Sequence, residues 1–486
     1  MVRVQTSVYR CGPLAIVLIG SLLCNLGHGQ LTSDEQIAIL QQQINQLQAD
    51  ASGTKLPVYS QPRAANHLHG VPSVPPEAFL RFDAPPYATA HNSGPPPAKK
   101  LPDVNLTGFF HLDAAYFGQS AESRATLGDI QDGAGFRRAR LAATGNVTER
   151  GSYMLEFDMA QGQARFVDVW GQIKDTPLGN LRIGRFRQPF GMAELTSIRE
   201  LPLMERPSIF ALAPFRQTGI MLSNSTTDAS STWAVSGFRA QSDNFGNVYG
   251  DHSGYGFAER LTWLPVDGGD QQLIHFGLDH SYLDPARDQL QIVSQDEVFV
   301  GQQPTLGPGG LSVLPLVGVP PFVNTGVFDV DHANLFNLEG AVSLGRAVVQ
   351  SEYRWNRLSL PTGESTTVHG GYLTLRYVLS GEIIAYNRAN GVFGDVKPDC
   401  PLDVKQGHWG AWEVVGQWSS LDLNPLFGLP GVTGPTRRLT SGTLGLNWYW
   451  WDNAKCQFEW INGSLNDPAL SDSVSNTLAS RLQFDF

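Results

Sequence analysis

The sequence predicts an all-β protein, a transmembrane antiparallel barrel of about 16 strands behind a short coiled-coil helix and a proline-rich linker. Three observations carry that expectation. From Asp103 to Phe486, segment after segment alternates apolar and polar residues with period 2. These segments run about 9–12 residues, enough to cross a bilayer when tilted and longer than the strands of soluble sheets. Aromatics gather at strand ends, as in Trp448-Tyr449-Trp450-Trp451 and Trp409/Trp412/Trp418, where an interfacial girdle belongs. A soluble sandwich shares the periodicity but not the strand length or the girdles.

The chain has 486 residues, of which 16% are charged, against roughly 25% in soluble domains. A formal charge of -11 with scattered Lys and Arg argues against nucleic-acid partners, which require a basic face. Four cysteines exclude a disulfide scaffold.

Residues 1–29 read as a secretory signal: Arg3 and Arg10, an apolar run from Gly12 to Leu23, then Gly27-His28-Gly29 as the cleavage region. Cleavage near Gly29 leaves 32 basic against 45 acidic residues, a charge of -13. It also leaves only Cys400 and Cys456, room for one structural disulfide. Beyond the signal no run of 18 apolar residues occurs, which excludes membrane helices but not barrel strands.

Residues 30–50 contain DEQIAILQQQINQLQ, with Ile37, Leu40, Ile44 and Leu47 in a/d spacing. Two heptads fit a short coiled coil or an amphipathic helix packed on its own domain. Residues 51–102 form a linker with eleven prolines from Pro57 onward, favouring extended polyproline conformation without a core. His67 and His69 in it are expected to be solvated.

Residues 103–486 form the barrel. In 347–357, Ala347, Val349, Tyr353 and Trp355 share one face, opposite Gln350, Glu352, Arg354 and Asn356. About 16 or 17 such segments can be marked, among them 136–146, 152–160, 165–174, 180–187, 382–388, 440–451 and 478–486. Bacterial barrels are normally even-numbered, which favours 16, and 16 strands leave an aqueous channel in place of a packed interior.

An ordered set of motifs then appears. Phe136-Arg137-Arg138-Ala139-Arg140-Leu141 precedes Tyr153-Met154-Leu155-Glu156-Phe157-Asp158 and Asp168-Val169-Trp170. Ile183-Gly184-Arg185-Phe186-Arg187-Gln188-Pro189-Phe190-Gly191, Met204-Glu205-Arg206 and Arg216-Gln217-Thr218-Gly219-Ile220 follow. Gly410-Ala411-Trp412-Glu413, Gly445-Leu446-Asn447-Trp448-Tyr449 and the terminal Phe486 complete the set. It resembles the phosphate-selective porin O and P family across 103–486. The resemblance implies a trimeric 16-stranded outer-membrane porin with a basic constriction, in which an arginine ladder attracts anions. The expected partners are outer-membrane lipid, two further copies of the chain, and small solutes or ions in the pore.

The candidate pore residues are chosen by local logic. Arg138 and Arg140 lie on the polar face of their strand, and Glu156 and Asp158 on the next. Hairpin arithmetic sets Arg140 near Glu156 or Asp158, and Arg138 near Asp158. The long 188–216 segment is the natural one to fold inward, bringing Arg199, Arg206 and Arg216. Along the strands, nine inward acids face six inward arginines, a balance that does not by itself make a positive lumen.

No H-E-x-x-H, G-x-S-x-G, P-loop or C-x-x-C spacing occurs, so neither enzyme chemistry, a metal site nor a cofactor is expected. His275 and His280 are five apart on a strand and cannot chelate one ion together. Two functions follow: passive diffusion of small hydrophilic solutes, anions such as phosphate among them, or a structural tether from the outer membrane to the cell wall through the coiled-coil arm.

Overall fold

The computed structural model describes residues 100–486 apart from 161–163, 242, 244, 248–253, 303–316, 435 and 468–471. The signal, the heptads and nearly all of the proline-rich linker lie outside the described residues.

Sixteen antiparallel strands close into a barrel. In chain order, β1–β8 are Asn105–Gln119, Gly133–Asn146, Gly151–Asp158, Arg165–Thr176, Gly179–Arg187, Arg216–Ser225, Ser231–Arg239 and Tyr255–Asp267. Strands β9–β16 are Leu273–Asp284, His332–Ser343, Ala347–Ser359, Ser365–Val378, Ala411–Asp422, Arg438–Trp451, Ala454–Asn466 and Ser473–Asp485. Closure pairs β1 with β16, from Phe109 opposite Asp485 to Gln119 opposite Ser475. Gly108 and Phe486 exchange both backbone hydrogen bonds at 2.9 Å, so the terminal residue completes the seam.

The alternation read from the sequence becomes alternation of burial. Along β16, Ser473, Ser475, Thr477 and Ala479 are buried, whereas Val474 and Leu478 are exposed on the outer wall. That wall carries apolar side chains suited to lipid, with aromatic clusters at both ends. Trp412 stacks on Trp448 at one end (5.0 Å between centroids), and Phe336 on Trp355 toward the other (5.4 Å).

Tight turns such as 177–178, 344–346 and 452–453 mark the periplasmic end, and longer connections such as 188–215 and 285–331 mark the outer end. Two connections break the rule: 360–364 is short at the outer end, and one long segment lies at the other. Segment 379–410, between β12 and β13, is long although it lies at the tight-turn end. It contains the expected strand 382–388, which is not a barrel strand: only Tyr386–Asn387 pairs, with Val392–Phe393, in a small hairpin. Its apolar residues fold inward instead, where Ile384, Tyr386, Val392 and Phe393 pack against Val348, Val378 and Tyr449.

The lumen also departs from an open aqueous tube. Within segment 285–331, Ile292, Val298, Phe322 and Phe328 pack against Leu421, Leu439, Ile461 and Leu465 of the inner wall. Apolar residues at the inward positions of β13–β15 create that seat. Cys456 is a free thiol, so the disulfide with Cys400 that the cysteine count allows does not form.

Candidate functional site: an arginine-lined cavity

Segment 188–215, between β5 and β6, crosses the lumen because the wall holds it by its backbone. It begins at Gly191, whose φ of +79° favours glycine and where a Cβ would collide with the Glu194 carboxylate. Asp279 on β9 accepts the Gly191 N–H at 2.9 Å, and Glu352 on β11 accepts those of Met192 and Ala193 at 3.1 and 2.7 Å. Glu194 forks onto Arg354 at 2.8 and 3.0 Å, and Arg354 also donates to the Ile209 carbonyl at 2.9 Å. Farther along, Glu459 on β15 accepts the Met204 N–H.

These contacts answer the charge count made from the strands. Asp279, Glu352 and Glu459 bind donors of the crossing segment. Glu339 takes Arg260 and His275, and Glu413 takes Arg376, Asn447 and Tyr449. All five carboxylates are buried and face no open water. They are fasteners.

A cavity of about 380 Å³ lies on the β2–β6 side. Arg137, Arg138, Arg140, Arg165, Arg185, Arg206 and Arg216 line it, against three carboxylates, Asp158, Glu205 and Glu297. A β-bulge between His111 and Leu112 shifts the β1–β2 register, and both Arg137 and Arg138 reach Glu205. Arg140 donates to Asp158 at 2.9 Å and lies 3.8 Å from Glu156, while Arg216 forks onto Asp168 at 3.1 and 3.0 Å.

Arg206 differs from these. It donates to the carbonyls of Ala193, Glu194 and Thr196 at 2.7, 3.2 and 2.7 Å and has no carboxylate partner among the described residues. Arg187 donates to the carbonyls of Glu194, Leu195 and Thr196 at 3.0, 2.8 and 2.8 Å. Burial, then the positive charges of Arg187 and Arg216, lower the proton affinity of Arg206 well below that of an ordinary arginine. The guanidinium keeps its charge, and the neighbouring positive charges of Arg187 and Arg216 add to the positive potential there. Glu205 shows the converse: burial would raise its pKa, but Arg137, Arg138 and Arg481 hold it well below the usual carboxylate range.

Of the candidates chosen from sequence, Arg138, Arg140, Arg206, Arg216 and Asp158 meet at this cavity. Glu156 sits behind Arg140 and is buried. Arg199 lies elsewhere, its guanidinium over Phe109 at 5.6 Å and its carbonyl accepting from Lys455 at 2.9 Å. One pairing is overturned: Arg138 forks onto Glu205 at 2.8 and 2.7 Å and not onto Asp158, because segment 188–215 brings a carboxylate across the lumen. Arg137, Arg165 and Arg185 were not among the candidates. For Arg185 and Arg187, arginines two apart on one strand were the available signal, as at 138 and 140; Arg137 had none, since a bulge is invisible to strict alternation.

The model of the family described as phosphate-selective porin O and P matches residues 104–486. The chain belongs to that family. It is 24% identical over 383 residues to porin O of Pseudomonas aeruginosa, covering 74% of this chain and 83% of that one. It is 25% identical over 427 residues to an uncharacterized protein of Caulobacter vibrioides, covering 82% and 80%. An anion-selective porin from Comamonas acidovorans aligns with a TM-score of 0.47 at 12% identity, covering 79% of this chain and 99% of that one. As a porin of the O and P family, the protein is a β-barrel channel of the bacterial outer membrane.

Proposed function

We propose that this porin is an anion channel whose filter is the arginine-lined gap between segment 188–215 and strands β2–β6. One observation carries the reading: seven arginines meet three carboxylates there, while the acids of the remaining wall are consumed as fasteners. Charge of one sign in a narrow wet gap concentrates counter-ions and repels co-ions. Phosphate belongs to the solute class this favours. Export through the 1–29 signal and assembly as a homotrimer complete the proposal, the trimer resting on family membership alone.

The reversal potential in a KCl gradient across a planar bilayer tests it. Chloride preference is expected, whereas potassium preference would overturn the anion reading. In mild-detergent gels without boiling, a band at monomer mass only would overturn the trimer.

A further inference from the structure

The arginine gap has a second component that charge does not explain. Phe166, Phe210, Phe215 and Phe299 line the same cavity, each only partly buried. Several stand against its guanidiniums: Arg137 lies 4.3 Å from the Phe299 centroid, Arg216 4.7 Å from Phe215, and Arg206 5.4 and 5.6 Å from Phe215 and Phe210. Phe210 and Phe215 meet edge to face at 4.6 Å. They come from three parts of the chain, namely β4, segment 188–215 and segment 285–331. Cation–π contact accounts for where the guanidiniums sit, but four partly exposed phenyl rings also leave apolar area on the cavity surface that polar side chains would not.

The donors tell the same story. A compact, strongly hydrated anion such as phosphate is held where many N–H groups converge without competing acceptors. Here the forks of Arg138 and Arg216 already hold Glu205 and Asp168, and the Nε of Arg140 holds Asp158. What the gap offers a visitor is net positive charge, ring surface, and Arg206, which has no carboxylate partner among the described residues and whose carbonyl bonds use only Nε and Nη2. From this we infer that the preferred solutes are anions with an aromatic body, such as benzoate-like carboxylates, with phosphate a weaker ligand. The carboxylate goes to Arg206, and the solute ring packs edge-to-face or offset on the phenylalanines.

This inference rests on the anion reading, and its test separates the two. Full-length protein in planar bilayers is given benzoate, acetate or phosphate while the chloride current is recorded. Benzoate is expected to reduce the current at a concentration roughly tenfold below acetate or phosphate, the factor that about 1.4 kcal/mol of ring contact represents. In the double variant Phe210→Ser/Phe299→Ser that advantage is expected to fall toward one. Heat-modifiable migration reports whether the variant barrel has assembled. If it has not, the milder Phe299→Leu carries the test, with an expected partial loss. Chloride selectivity without a benzoate advantage, or an advantage that survives loss of the rings, overturns this inference alone. Potassium selectivity overturns the anion reading beneath it.

Discussion

The two halves of the lumen wall use the same residue to opposite ends. On β8–β14, arginines are matched to carboxylates: Arg260 to Glu339 at 2.7 Å, Arg354 to Glu194 at 2.8 Å, Arg376 to Glu413 at 2.7 Å. Their side chains are at most 4% exposed, under the cover of segments 188–215 and 379–410. On β2–β6, arginines outnumber the carboxylates, and Arg137, Arg140 and Arg216 keep 11–19% of their side-chain surface exposed. On the function proposed above, an arginine is a fastener or a selector according to how many carboxylates surround it and whether a segment covers it. Its own strand position does not decide.

The comparison breaks most readily at Arg354. Arg354→Ala leaves Glu194 uncompensated beside Glu352, and removing one partner of a buried pair costs about 3–5 kcal/mol. Segment 188–215 is expected to unseat, so single-channel conductance rises while the barrel unfolds at lower temperature in detergent. Unchanged conductance would mean that Arg354 fastens nothing.

A somewhat smaller effect is expected from pH, at the seat of segment 285–331. Asp296 accepts from Ser441, and Glu297 accepts from Ser419, from Gln417 at 2.9 Å and from the Ser208 N–H at 3.1 Å. None of these donors is a cation. Burial raises both carboxyls, Asp296 to about 7 against an ordinary 3.8. The seated segment thus holds protons that the unseated one releases. Its stability is complete below about pH 4, declines as pH rises through about 7 and is flat above. Amide hydrogen exchange in 292–300 should quicken across that window, and Asp296→Asn should flatten the dependence. Equal protection at acid and alkaline pH would sink the idea.

At the selector, Arg206→Ala removes a charge worth about 1 kcal/mol at a few ångströms in watery surroundings. A several-fold fall in the chloride-to-potassium permeability ratio is expected from reversal potentials. Arg140→Ala should act in the same sense but less, since Asp158 already offsets that charge. The smallest effect is assigned to Arg199→Ala, which lies outside the gap: a selectivity change as large as that of Arg206→Ala would redraw the passage.

The barrel and much of its inner face are legible in the order of residues. Period-2 alternation is written residue by residue, so face assignment needs no distant partner; it placed Arg140 and Asp158 across one hairpin, 18 residues apart. Alternation also misled once, at 382–388, where a short apolar run packs inside the barrel as well as it would in its wall. Which arginines find a carboxylate depends on contacts between distant parts of the chain. Arg138 finds Glu205 across 67 residues, and Arg354 finds Glu194 across 160, because a segment returns through the lumen. An ion pair forms wherever the chain brings opposite charges together out of water, and no local pattern records where a long connection will come to rest.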